Sequence, residues 1–79
     1  MNMQLRQQML SKPELERMVL SNLRMLPGSQ HIEHVLVAER RGSLRNWAVI
    51  DIEPPLSTAA DNAARNAISA LQREFLLAP

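Results

Sequence analysis

The sequence predicts an α+β domain of helix-strand-strand-helix order, an α-β-β-α chain with an antiparallel two-stranded hairpin packed on two helices. Three observations carry that prediction. A capped amphipathic stretch opens at Ser11, two runs rich in β-branched residues flank a short turn containing Gly42, and an alanine-rich stretch of helical period follows Pro54-Pro55.

Residues 1–10 come first and are the least regular. They are rich in Met and Gln, and their apolar positions Met3, Leu5, Met9 and Leu10 follow no clean period. They are expected to form a flexible or partner-ordered N-terminal segment, which leaves 11–77 as a single α-β-β-α domain.

Ser11-Lys12-Pro13-Glu14 is a helix start. The serine hydroxyl can accept from the third helical amide, the glutamate can reach back to the cap amide, and proline tolerates the first turn. Leu15, Met18, Val19, Leu23 and Leu26 then share one helical face, with Glu16, Arg17, Ser21 and Arg24 opposite. Pro27 biases Leu26 away from helix and Gly28 can adopt positive φ, so the helix should end within a residue or two of Met25.

His31 to Glu39 reads as a strand with faces Ile32/His34/Leu36/Ala38 and Glu33/Val35/Val37. Arg40-Arg41-Gly42-Ser43 makes the turn. Arg45 to Ile52 returns as a second strand, Trp47/Val49/Asp51 on one face and Ala48/Ile50/Ile52 on the other. Pro54-Pro55 stops the ladder because proline has no amide hydrogen. Ser57 or Thr58 then caps a helix whose stripe is Ala60, Ala64, Ala67, Ile68, Leu71 and Phe75, running to about Leu76.

Size makes this arrangement incomplete. A chain of 79 residues without cysteine buries only about 60% of its unfolded surface, and two helices cover one face of a two-stranded ribbon while both faces offer apolar groups. Self-association supplies the missing cover. The sequence predicts a homodimer, built either by edge pairing into a four-stranded sheet across the dimer or by packing of the Val35/Val37/Trp47/Val49 face, the candidate interface. The alternative is a monomer in which the Met-rich N-terminal segment folds over that face.

Composition narrows the setting. A net charge of +1 offers no general attraction to phosphate or to an anionic membrane. Residues 1–10 are too polar for a secretory signal, no apolar run approaches the roughly 20 residues of a membrane span, and the lack of cysteine fits a reducing compartment. A cytoplasmic protein without membrane association is expected.

Candidate chemistry is sparse. His31-Ile32-Glu33-His34 holds imidazole and carboxylate groups, but on a strand the two histidines face opposite ways and cannot supply three converging metal ligands. Asp51 and Glu53 share a strand face, with Glu39 placed to oppose them across the hairpin. Paired carboxylates suggest acid-base work, yet nothing in their surroundings points to a raised pKa. No nucleophile triad, phosphate loop or nucleotide fingerprint occurs, so no catalytic, metal or cofactor-binding residue is assigned and no enzyme activity is expected. Arg40, Arg41 and Arg45 cluster at the hairpin tip, where a β-ribbon meets a nucleic-acid groove and guanidinium groups pair with phosphate or guanine. Trp47 suits a partner hot spot or, more simply, a core position with its indole N–H given to a carbonyl.

The pattern Pro13-Glu14-Leu15-Glu16, Leu26-Pro27-Gly28 before His31, Asn46-Trp47-Ala48-Val49 and an alanine-rich helix with Ala64, Ala67 and Leu71 before Phe75 resembles small uncharacterised proteins of alphaproteobacteria over residues 13–76. The resemblance implies a bacterial cytoplasmic origin and brings no activity with it. The sequence therefore predicts a non-enzymatic protein-protein interaction module acting as a homodimer, its partner protein unidentified. The alternative is a nucleic-acid-binding regulator that uses the arginine tip.

Overall fold

The computed structural model describes residues 8–42 and 44–79. Its elements are strand β1 (Gln8–Leu10), helix α1 (Lys12–Leu23), strands β2 (His34–Glu39) and β3 (Trp47–Glu53), helix α2 (Thr58–Glu74) and strand β4 (Phe75–Leu77). The α+β class and the antiparallel hairpin are present, with a second pair of strands added: β1 and β4 run parallel. No helix among the described residues is long and apolar enough to cross a membrane.

Helix α1 begins as its sequence dictates. The Ser11 hydroxyl accepts from the Glu14 amide at 3.3 Å and the Glu14 carboxylate accepts from the Ser11 amide at 2.8 Å, closing a capping box. Leu15, Val19 and Leu23 are buried along one face. The helix gives way to the turn at Arg24, whose guanidinium donates to the Ile32 carbonyl at 2.9 Å and ties the following loop to the entrance of β2. Gly28 there is fixed twice: its φ is +84°, and a Cβ would lie 3.3 Å from that of Ala60 on α2.

The hairpin is shorter at its start than expected, β2 beginning at His34 and β3 at Trp47. Its register pairs His34 with Glu53, Val35 with Ile52 and Leu36 with Asp51, then shifts so that Val37 faces Val49 and Glu39 faces Trp47. Ile50 is the extra residue, a β-bulge. The bulge corrects the expected face assignment. Strict alternation would put Ile52 with Ala48 and Asp51 with Trp47, but one inserted residue reverses the phase, so Ile52 joins Trp47 and Val49 inside while Asp51 stays exposed beside Ile50.

Both helices lie on one side of the ribbon, α1 against β2 and α2 against β3 and β4. The core is Leu15, Val19 and Leu23 from α1, Ala64, Ile68 and Leu71 from α2, and the Val35/Val37/Trp47/Val49/Ile52 face of the hairpin with Ile32. The proposed interface residues Val35, Val37, Trp47 and Val49 are therefore corrected: the chain's own helices cover them, at 8%, 0%, 0% and 6% exposure. That face carries the large β-branched and aromatic side chains, so burying it removes the most apolar surface from water. The open face is the other one.

Helix α2 stops at Glu74, two residues before its expected end, since Phe75 takes an extended conformation at φ −128° and ψ 147°. Local sequence supplies no glycine or proline there, so tertiary pairing ends the helix. Gln8, Met9 and Leu10 align with Phe75, Leu76 and Leu77, and the Ala78 amide donates to the Leu10 carbonyl at 2.8 Å. Leu10 and Leu77 rest against the core. Of the segment expected to be flexible or ordered by a partner, residues 1–7 lie outside the described residues, and Gln8–Leu10 are ordered by the chain's own C-terminal end.

Candidate functional site

The ribbon presents an inner face, two edges, an outer face and a tip, and each holds different chemistry. The inner face is closed by polar side chains as well as apolar ones. Trp47 is fully buried and its indole N–H donates to the Phe75 carbonyl at 2.9 Å; Gln72, 6% exposed, donates to the Trp47 carbonyl at 2.6 Å. Asn46 beside it pairs with the backbone of Leu77 through both ends of its amide, donating to the carbonyl and accepting from the amide at 2.9 Å each. A side-chain amide carries one donor edge and one acceptor, the complement of a strand's peptide group, so Asn46 acts as a one-residue neighbour to β4.

The outer edges of the hairpin carry side-chain partners at three backbone groups. The Glu16 carboxylate accepts from the Val37 amide at 2.9 Å on β2, while Arg65 donates to the Val49 carbonyl at 3.0 Å and Gln72 to that of Trp47 on β3. Joining two copies edge to edge would have to displace these groups. Edge pairing is thus the less accessible of the two routes to a dimer.

Among the described residues no element covers the outer face. Leu36 and Ile50 are 42% and 59% exposed, next to the half-buried Ala38 and Ala48 that face one another across the ribbon. Toward the open end of the hairpin this apolar patch meets His34 and Glu53, which are cross-strand partners, and Asp51. Glu33, His34, Asp51 and Glu53 line an open hollow of about 360 Å³ with Pro54 and Pro55. Although these groups are near one another, no set of three or more among the described residues is arranged to hold a metal ion. Glu39 is at the opposite end, paired with Trp47 in the register, so the expected opposition of Glu39 to Asp51 and Glu53 does not form.

At the tip the Arg40 amide donates to the Asn46 carbonyl at 2.8 Å, closing a loop in which Gly42 has φ +74°. Arg40 and Arg41 are exposed and Arg45 is half-buried, so the structure brings the three candidate nucleic-acid contacts to one end. Arg41 lies 3.8 Å from Glu39 with both side chains open to solvent, an ion pair that contributes little. Leu44, in the same loop, is 95% exposed. Leu36 and Ile50 are not among the candidate interface residues because alternation alone gives no sign of which strand face the helices take, and Leu44 belongs to no periodic pattern.

Glu14 belongs to the capping box at the start of α1. Hydrogen bonds to Glu14 from the Ser11 amide first, then from its hydroxyl, hold its pKa below the ordinary range, with a smaller contribution from the charge of Arg17. Its role is the helix cap.

Comparison with family models, curated proteins and solved structures finds no match to the chain.

Proposed function

We propose that the protein is a non-enzymatic protein-protein interaction module that acts as a homodimer in a bacterial cytoplasm, using the outer face of its hairpin. The observation that supports this reading is the contrast across one ribbon: the inner face is sealed by the chain's own helices, while Leu36 and Ile50 stand 42% and 59% exposed side by side on the outer one. An isolated two-stranded sheet gains from having its second face covered. A second copy presents the same patch, which is the self-complementarity a twofold axis requires.

Sedimentation velocity over a concentration series tests it. The wild-type chain of 8.9 kDa should shift toward twice that mass as concentration rises, and Ile50→Lys should stay monomeric with an unchanged circular dichroism spectrum. A wild-type protein that remains at single-chain mass up to about 100 μM, a concentration at which even a weak dimer of about −6 kcal/mol would populate, overturns the reading.

A second reading draws on the tip, where Arg40, Arg41 and Arg45 meet and Leu44 projects at 95% exposure. A nucleic-acid-binding regulator would use those guanidinium groups on phosphate. Titration of a labelled duplex should then give binding that falls steeply with salt, with a shallower slope for Arg41→Ala. No binding at low salt removes this alternative.

A further inference from the structure

The outer face is electrically polar along its length. Its open end holds the carboxylates of Asp51 and Glu53 beside His34, at a hollow of about 360 Å³ that Glu33 also lines, and beyond its other end stand Arg40, Arg41 and Arg45, with Glu39 paired to Arg41. Between them are the apolar side chains Leu36 and Ile50 and the small Ala38 and Ala48. From the geometry we infer that two copies pack outer face on outer face with their ribbons antiparallel, the arginine tip of each seated in the acidic hollow of the other. This inference rests on the homodimer reading above and adds its orientation.

Three features favour that occupant and that direction. The acidic and basic ends are equidistant from a point between Leu36/Ile50 and Ala38/Ala48, about four residues either way along β2, so one twofold axis there superposes both charged contacts. Alanine at Ala38 and Ala48 lets two ribbons approach closely near the axis, where larger side chains would hold them apart at the usual spacing of about 10 Å. Area supplies the third. The four apolar residues on two strands form a patch of roughly 15 by 10 Å, which even with side-chain relief is well under the roughly 800 Å² per partner of a standard interface. Apolar contact over so small a patch is insufficient, and the charged ends must contribute. The parallel arrangement would instead set arginine tip against arginine tip and carboxylate against carboxylate, a repulsion that disfavours it.

Charge exchange provides the test. One variant carries Asp51→Arg and Glu53→Arg; the other carries Arg40→Glu and Arg41→Glu. All four positions are exposed, and circular dichroism and thermal melts check that both variants fold. By sedimentation velocity, each variant alone should be monomeric where the wild type is dimeric, because both of its end contacts become repulsive. An equimolar mixture should restore the dimer, since the acidic tip of one then meets the basic end of the other. Raising salt from about 50 to about 500 mM should weaken the wild-type dimer by roughly tenfold or more, as the screening length falls below the span of the contact. A wild-type dimer indifferent to salt whose variants still dimerise overturns the orientation and leaves the homodimer standing, and variants that lose the dimer without recovering it on mixing overturn the pairing of tip with hollow. A wild-type monomer at every concentration overturns this orientation and the homodimer together.

Discussion

The two faces of one hairpin are treated in opposite ways by the rest of the chain. On the inner face each strand residue that points toward the helices is apolar and buried, and the polar groups beside it, the Trp47 indole and the Trp47 carbonyl, have partners at 2.9 and 2.6 Å. On the outer face the apolar residues are fewer, smaller or left half open, and charges of opposite sign occupy the two ends. The Ile50 bulge separates the two sets. Without it Ile52 would turn outward and Asp51 would turn into the core, where an unpaired carboxylate is costly. The inner face maintains the fold, and the outer face is free to be selected for something else.

The sharpest way to break that contrast is to empty the inner face at its largest member. Trp47→Ala should cost about 3–5 kcal/mol, removing a fully buried ring and leaving the Phe75 carbonyl without its donor. Small domains have stabilities of about 5 kcal/mol, so urea unfolding should find this variant barely folded. A midpoint unchanged from wild type would mean that the helices do not depend on the inner face.

Asn46→Ala should come next, at about 1–3 kcal/mol, because it leaves the amide and the carbonyl of Leu77 together without protein partners. The loss should be local as well as global. Hydrogen exchange at the Leu77 amide should accelerate more than at the Val19 amide inside α1, and equal acceleration at both would show that Asn46 supports the whole fold instead of strand β4.

How far these features could be read in advance depends on their range along the chain. The capping box at Ser11 and Glu14 and the proline stop at Pro54 are contained within a few residues, so the sequence displays them in full. The stripe Leu15, Val19, Leu23 is a period, and it too is local. Strand β1 is three residues and β4 is three residues, too short to show a period of two, and their pairing joins positions at opposite ends of the chain. Helix α2 was expected to continue through Phe75 for the same reason: only the distant partners Gln8, Asn46 and Trp47 make it extend. The choice of face was not legible. Strict alternation gives the Ile32/Leu36/Ala38 and Ala48/Ile50/Ile52 side more apolar residues than the Val35/Val37 and Trp47/Val49 side, to which it adds Glu33 and Asp51; only the bulge at Ile50, which no local signal marks, turns Ile52 inward and Asp51 outward.

A smaller effect lies on the solvent side of α1. The folded pKa of Glu14 is lowered below its unfolded value, so its contribution is present above the unfolded pKa near 4.5 and is lost as pH falls through the lower folded one. In thermal melts between about pH 6 and pH 2.5, Glu14→Gln should therefore show a slightly shallower acid decline than wild type. A steeper decline would assign the acid sensitivity to groups elsewhere.

The smallest expected effect on folding is also the one that separates the two faces most cleanly. Ile50 is on the bulge with its side chain 59% exposed, so Ile50→Thr, which keeps the β-branch, should move the unfolding free energy of a dilute, monomeric sample by no more than about 0.5 kcal/mol. Ile52 is only two residues away and 8% exposed, and its replacement by threonine puts a hydroxyl among core side chains at a cost of about 1–3 kcal/mol. Equal losses would mean that the bulge does not divide the strand as its register indicates. A difference between the two in dilute solution, together with a weakened dimer for Ile50→Thr alone at high concentration, would show that adjacent positions on one strand answer to different requirements, one to the chain's own core and the other to a second copy.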